Sequence, residues 1–394
     1  MFKLIKIKTS GFRQLNSNFE LDFLNETKVT EEDLFREIIE IERGLYSFRT
    51  LAFVGSNASG KTTILTLIIK CLSLLHSGRW EYFPLDYKED KIKLSIIYYL
   101  DNIIYEYYVE LGKIDNFDQV QGRLYSPIMN QKLYSYKYDK TRGKKNFLTF
   151  DENKEDISNK LLIVGDTSNI SSFTNKEVQF DYFANNNLLN IDSFVIRNSF
   201  FDILKNTKQE ILFPIINLLD ESIEYIKPYT NDTLYFKRYN EKEIIMQNNE
   251  LISILSSGTI RGIELFVRSY NALKYGKIFV VDEIEDCFQK NVVNNIIDIF
   301  NDKCINQKGA QVIFSTHYTE ILDSLNRRDC IFITNKKDNL IHCEKLYKKY
   351  NIRSEKVKSR LFDNNIFNTS LNYDKLMEVR RNIKNELCIS NDWR

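Results

Sequence analysis

The sequence predicts an α/β fold with an antiparallel β lobe and a helical insertion, on three observations. An apolar run, Thr50-Leu-Ala-Phe-Val54, passes through a glycine-bounded loop into the strongly apolar stretch 61–75. Two more apolar runs, Lys277-Ile-Phe-Val-Val281 and Gln311-Val-Ile-Phe-Ser315, end in polar residues, as buried parallel strands do where their ends form a crevice. Between 92 and 150, the tyrosine-rich segments KLSIIYYL, IIYEYYVEL, KLYSYKY and NFLTF alternate in the manner of antiparallel hairpins.

The elements follow in order. Phe2 and Leu4 alternate with polar residues, Ile5-Lys6-Ile7-Lys8 resumes after a one-residue slip, and Phe19-Glu-Leu-Asp-Phe23 continues, so the chain begins with two strands. Thr30 precedes three acidic residues and an apolar spacing of Leu34, Ile38 and Ile41 that stops near Gly44. That pattern predicts an N-capped amphipathic helix, packed on the core as a surface insertion. From 178 to 250 the pattern is helical and irregular, and no internal repeat or sustained heptad occurs. The α/β alternation returns at Leu251. The expected organisation is one nucleotide-type unit split into 1–150 and 251–394 around a mainly helical insertion, 151–250.

Composition removes several classes. In 394 residues, 55 Lys and Arg face 54 Asp and Glu, which excludes a uniformly basic nucleic-acid coat. The 43% hydrophobic content excludes a largely disordered chain. The six cysteines form no CxxC pair and the histidines are His76, His317 and His342, so neither a zinc site nor a disulfide framework is expected. No run suits a signal peptide or a membrane span, and the expected setting is the cytoplasm, without a membrane partner.

Gly55-Ser-Asn-Ala-Ser-Gly-Lys-Thr62 matches G-x-x-x-x-G-K-[ST] between the predicted strand and helix. A phosphate needs inward-turned N–H groups, which glycines permit, and it gains from the positive end of a helix dipole. Gly55, Asn57, Ser59, Gly60, Lys61, Thr62 and Thr63 are therefore the candidate ATP contacts, with Lys61 at the β/γ-phosphates and Thr62 as a Mg²⁺ ligand. Asp282 would hold Mg²⁺ through water, and Glu283 would polarise the attacking water. His317, at the end of a later strand, would bond the γ-phosphate and sense its loss.

With these motifs on the page, the chain resembles the ABC-type ATPases of the SMC, RecF and OLD kind. Gly55, Asn57, Ser59, Gly60 and Lys61 follow that group's G-x-N-x-S-G-K, and Leu255-Ser256-Ser257-Gly258-Thr259 matches its signature motif. DEIEDCF from Asp282 matches its Walker B, and His317 its switch histidine. The resemblance implies an ABC-type P-loop ATPase head that hydrolyses ATP slowly to ADP and phosphate with Mg²⁺. It also implies a homodimer, or higher homo-oligomer, in which Ser256, Ser257 and Gly258 of one copy contact ATP held by another. The spacing from Walker A to signature, without heptads, sets the chain apart from SMC proteins, and the runs SSGTIRGIELF, KIFVVDEIED, AQVIFSTHYTEILD and RRDCIFI resemble most the standalone OLD-like ATPases of bacterial anti-phage and abortive-infection systems such as PARIS and Septu. Phe288-Gln289-Lys290 replaces the Leu-His-Pro common in those relatives, and no Q-loop glutamine is assigned.

The residues after His317 carry no Toprim-like glutamate and paired aspartates, so any nuclease is expected on a separate chain; the resemblance implies such an effector, Toprim-like or HNH, and a phage-encoded trigger. The rival reading is a RecF-like DNA-maintenance ATPase. It draws on the stretch 132–145, where tyrosines interleave with cations, and on a second basic stretch, 345–360. A solvated hairpin turn and a solvated or partner-facing helix are the alternative readings of the two.

Overall fold

The computed structural model describes residues 1–114, 124–174, 177–184, 193–286, 288–349, 358–363 and 373–389. Its centre is a six-stranded sheet in the order Phe180–Phe183, Ile278–Val281, Gln311–Thr316, Thr50–Val54, Ile331–Lys337, Leu340–Lys345. The first five strands are parallel and the last pairs antiparallel. Every residue of Thr50–Val54 is buried, which explains a continuous apolar run where a half-exposed strand would alternate. The helix Lys61–Ser77 follows directly and is buried along nearly its whole length. Gln311–Thr316 lies between Thr50–Val54 and Ile278–Val281, so the strand that leads to His317 separates the other two motif-bearing strands.

Against this sheet stands an antiparallel lobe in the order Phe19–Asp22, Phe2–Ser10, Lys91–Leu100, Ile103–Gly112, Ile128–Lys137, Glu155–Asp156. The expected slip in the first strand is a register shift between Leu4 and Lys6. It turns Ile5 toward a cluster with Ile97, Tyr99 and Ile104, while Phe2, Leu4 and Ile7 join the main core. Asp101 and Asn102, both at positive φ, close a two-residue hairpin between the tyrosine-rich strands. The segment NFLTF is not a strand. It forms the 3-10 helix Gly143–Leu148 and the short helix Phe150–Asn153. Asn146, fully buried, holds this loop shut by donating to the Asp139 and Gly143 carbonyls and accepting from Asp139 N–H.

The helix expected from Thr30 to Gly44 is shorter. Thr30 caps Glu31–Phe35 in a capping box with Asp33, and Ile38–Glu42 then pairs as a hairpin with Leu45–Phe48. Ile38-Ile-Glu-Ile-Glu42 alternates as well as it spaces helically, and Gly44 at φ 81° supplies the reversal that a hairpin needs. The insertion does contain helices, Ser193–Asn206 and Gln209–Leu219, but 223–247 forms a three-stranded antiparallel sheet, Ile223–Pro228, Thr233–Arg238 and Ile244–Gln247. Its alternation is short and is interrupted by a register shift between Ile223 and Tyr225, which obscures the period. These elements share a second core with the helix Ser257–Tyr275 through Ile263 and Val267. No helix among the described residues is long and apolar enough to cross a membrane.

Some cations of each basic stretch have structural partners, although those of 132–145 stay exposed. Lys140 pairs with Glu42 at 3.0 Å, Arg142 with Asp139 at 3.4 Å and Lys144 with Glu26 at 3.9 Å, and Tyr138 is buried. In the second, Lys345 is buried against the Leu24 carbonyl and Lys348 meets Glu26 at 3.3 Å; residues 350–357 lie outside the described set.

One buried ion network binds the Lys61–Ser77 helix to the lobe. Asp86, fully buried, accepts from Lys70 Nζ and from Arg13 Nε at 2.8 Å, and Lys70 also lies 5.2 Å from the Trp80 ring centroid. Removing one partner of such a group leaves a buried charge uncompensated. Asp86→Ala is therefore expected to cost roughly 3–5 kcal/mol in urea unfolding; a loss under about 1 kcal/mol would mean that Lys70 finds another acceptor.

Candidate nucleotide site

The loop from Gly55 to Gly60 connects the inner strand Thr50–Val54 to the N-terminus of the Lys61–Ser77 helix. Ala58 at φ 60° and Gly60 at φ 104° turn the backbone through left-handed conformations, which point successive N–H groups inward as an anion cradle. A Cβ on Gly60 would come within 2.6 Å of the Ile341 side chain, so only glycine fits between loop and sheet. Ser59 Oγ lies 2.8 Å from Thr334 Oγ1, which donates to the Val54 carbonyl at 3.2 Å and ties the loop to the neighbouring strand.

Lys61 is buried, and three acceptors satisfy its three N–H bonds: the Gly55 carbonyl at 2.8 Å, the Ser56 carbonyl at 3.0 Å and His317 Nδ1 at 3.0 Å. Burial pushes its pKa down to about 8, against the pull of Asp282, Glu285 and Glu283. An ammonium has no lone pair, so Nδ1 must accept and the imidazole proton must sit on Nε2. That nitrogen faces Glu283 Oε1 at 3.1 Å and donates to it. Lys61, His317 and Glu283 thus form one hydrogen-bond chain across three strand ends.

Asp282 is buried beside this chain. Its Oδ2 accepts from Thr62 Oγ1 at 2.8 Å and its Oδ1 from Ser315 Oγ at 2.5 Å; burial raises its pKa. A hydroxyl and a carboxylate in contact form a hard-oxygen pair, which fits Mg²⁺ completed by water and phosphate oxygens. Glu283 sits at φ 51°, a costly conformation for a non-glycine residue, and is held there by its N–H to Ser315 Oγ at 2.7 Å and by the next N–H, of Ile284, to the Ser315 carbonyl at 3.1 Å. Asn57, Gly60, Lys61, Thr62, Thr63, Glu283 and His317 line one cleft of about 450 Å³, with Gln14 and Ile341 on its wall.

The candidates at 55–63, 282, 283 and 317 therefore converge. Ser256, Ser257 and Gly258 do not line this cleft. Ser256 N-caps the Ser257–Tyr275 helix, accepting from Thr259 N–H at 3.0 Å, and both serines are exposed. Beyond Walker B, Phe288 packs half-buried against the main core, and Gln289 precedes the helix Lys290–Asn301. Sequence reasoning missed Ser315, Glu285, Thr334 and Gln14. Ser315, two residues before the histidine, had a signal in its position; Thr334 and Gln14 are brought in by sheet pairing, from segments with no motif.

A parallel sheet with a glycine-bounded phosphate cradle, and with acidic and histidine strand ends meeting its lysine, defines a P-loop nucleotide-binding protein. The family described as "AAA domain, putative AbiEii toxin, Type IV TA system" matches residues 50–323, and the chain belongs to it. Among solved structures, the SMC head domain from Thermotoga maritima is similar at 12% identity and a TM-score of 0.41, covering 87% of this chain and 98% of that one. No curated protein matches the chain.

Lys61 also gives a pH test. Its pKa near 8 leaves it mostly neutral at pH 9, and a polyphosphate at Nζ favours the charged form. Nucleotide binding should take up close to about one proton at pH 9 and almost none from this group at pH 7, where it is already charged. Calorimetry of Mg–ATP binding in buffers of different ionisation enthalpy measures this. The pH 9 uptake should vanish in Lys61→Arg.

Proposed function

We propose that this chain is an ATP hydrolase whose two nucleotide-bound heads close as a clamp, and that the clamp holds or releases a separate effector nuclease in anti-phage defence. The observation that carries the ATPase reading is the hydrogen-bond chain Lys61–His317–Glu283, which joins the phosphate-binding lysine to a carboxylate through one imidazole. Main-chain N–H groups of 55–63 would hold the phosphates, and Lys61 would transfer hydrogen bonds from its loop carbonyls and His317 to phosphate oxygens. Thr62 and Asp282 would hold Mg²⁺, which supplies charge neutralisation at the β- and γ-phosphate oxygens. Glu283, once Lys61 engages phosphate, would orient the attacking water and take its proton, while His317 reports the γ-phosphate.

The N-terminus of Ser257–Tyr275 supports a site completed in trans, since Ser256 and Ser257 are exposed there and neither lines the cleft of its own protomer. The family's description as a toxin of a type IV toxin–antitoxin system supports the defence role. A switch of this kind needs a large difference in affinity between open and closed states, which ATP shared between two heads provides. The DNA-maintenance reading stands second: the cations of 132–145 are exposed, and three of them, Lys140, Arg142 and Lys144, also pair with Glu42, Asp139 and Glu26.

Glu283→Gln should bind ATP with near-native affinity, accumulate as a dimer in size-exclusion chromatography and release phosphate at least about 100-fold more slowly. Native hydrolysis by that variant would remove Glu283 from the mechanism.

A further inference from the structure

The turn after Ile278–Val281 carries four carboxylates, Asp282, Glu283, Glu285 and Asp286, and the reading above uses only the first two; Asp286 pairs with Arg261 at 3.1 Å. Glu285 is 6% exposed, a costly placement for a charge. Its Oε1 accepts the backbone N–H of His317, and its Oε2 has no hydrogen-bond partner among the described residues. It also contributes to the negative field at Lys61.

His317 stands where the ladder ends. Gln311–Thr316 pairs with Thr50–Val54 as far as Thr316 opposite Val54, so His317 is the first residue beyond the register. Glu285 supplies the acceptor that the ladder no longer does. Two contacts of the imidazole, 3.0 Å at Nδ1 and 3.1 Å at Nε2, lie on opposite sides of the ring, and both require a fixed backbone beneath it. Glu283 and Glu285 therefore grip the same residue, one at the ring and one at the main chain. The positive φ of Glu283 and the bond from Phe288 N–H to the Glu285 carbonyl at 3.0 Å shape the turn that presents them both.

We propose that Glu285 is a positioning residue for His317: its carboxylate replaces the missing ladder acceptor and keeps the imidazole bridging Lys61 and Glu283 in the Nε2–H form. The kinetic consequence rests on the ATPase reading, whereas the tautomer does not. Glutamine keeps an acceptor at the same reach; aspartate keeps the charge but falls one methylene short; alanine leaves the His317 N–H without its acceptor.

The test uses full-length protein labelled at histidine. With 3 histidines in the chain, His76→Gln and His342→Gln assign the His317 ring signals. Without nucleotide, wild type and Glu285→Gln should show the Nε2–H tautomer alone, and Glu285→Ala and Glu285→Asp a mixture with averaged ring nitrogen shifts. In steady-state hydrolysis, Glu285→Ala and Glu285→Asp should lose roughly 100-fold in kcat with the Kd for ATP within about threefold, while Glu285→Gln keeps at least about a third of kcat. An unchanged tautomer in both Glu285→Ala and Glu285→Asp overturns the proposal, as does Glu285→Gln behaving like alanine. If the wild type binds no nucleotide or hydrolyses none, the ATPase reading fails, and the ring signals still decide the role of Glu285.

Discussion

Burying the ammonium of Lys61 at the start of a helix imposes most of the geometry around it. A charge so enclosed must have every N–H satisfied, and two of its three acceptors are carbonyls of the loop that precedes it. The loop can offer them only by curling back through left-handed conformations at Ala58 and Gly60, and that curl also turns its N–H groups toward an anion. The third acceptor, His317 Nδ1, must come from another strand. The sheet order places that strand beside the loop's own, so the same requirement recruits the histidine, through it Glu283, and through the His317 main chain Glu285.

The rest of the fold keeps those strand ends in register. Parallel pairing of Thr50–Val54, Gln311–Thr316 and Ile278–Val281 brings their carboxyl ends to one crevice, and Ser315 fastens two of them by bonding both Asp282 and the Glu283 N–H. At the other side of the helix, the Lys70, Asp86 and Arg13 network ties it to the first loop of the lobe, whose next residue, Gln14, lines the cleft. A second network anchors the segment before the central strand: Arg327 grips Asp329 and Asp33, and Glu37 accepts the N–H groups of Asn326 and Arg327. These buried charges are well satisfied, so their value lies in fixing relative position more than in net stability.

How much was legible follows from how local each signal is. The phosphate loop, the Asp-Glu strand end and the strand before His317 were readable because each packs its chemistry into a few consecutive residues beside an apolar run. The turn of the first strand at Leu4 and Lys6 was readable for the same reason. The helix after Thr30 was overextended because Ile38 and Ile41 satisfy helical and strand periods together, and only pairing with Leu45–Phe48 chooses between them. The sheet at 223–247 was missed because a bulge breaks its short alternation. The cations of 132–145 are exposed, as a solvated turn requires, but a sequence does not reveal that Lys144 and the buried Lys345 both reach the 24–26 segment.

The residues alone determined the class of chemistry: a phosphate cradle, a lysine, a hydroxyl with an acidic partner, and a histidine late in the chain, because those types are needed wherever a polyphosphate is held. Tertiary structure decided how they are wired. That Nδ1 faces Lys61 and Nε2 faces Glu283, that Ser315 and Glu285 brace them, and that Ser256 caps a helix outside its own cleft depend on strand order and register. Those are set by burial of the whole sheet, which couples positions more than two hundred residues apart and leaves no mark in any short stretch of sequence.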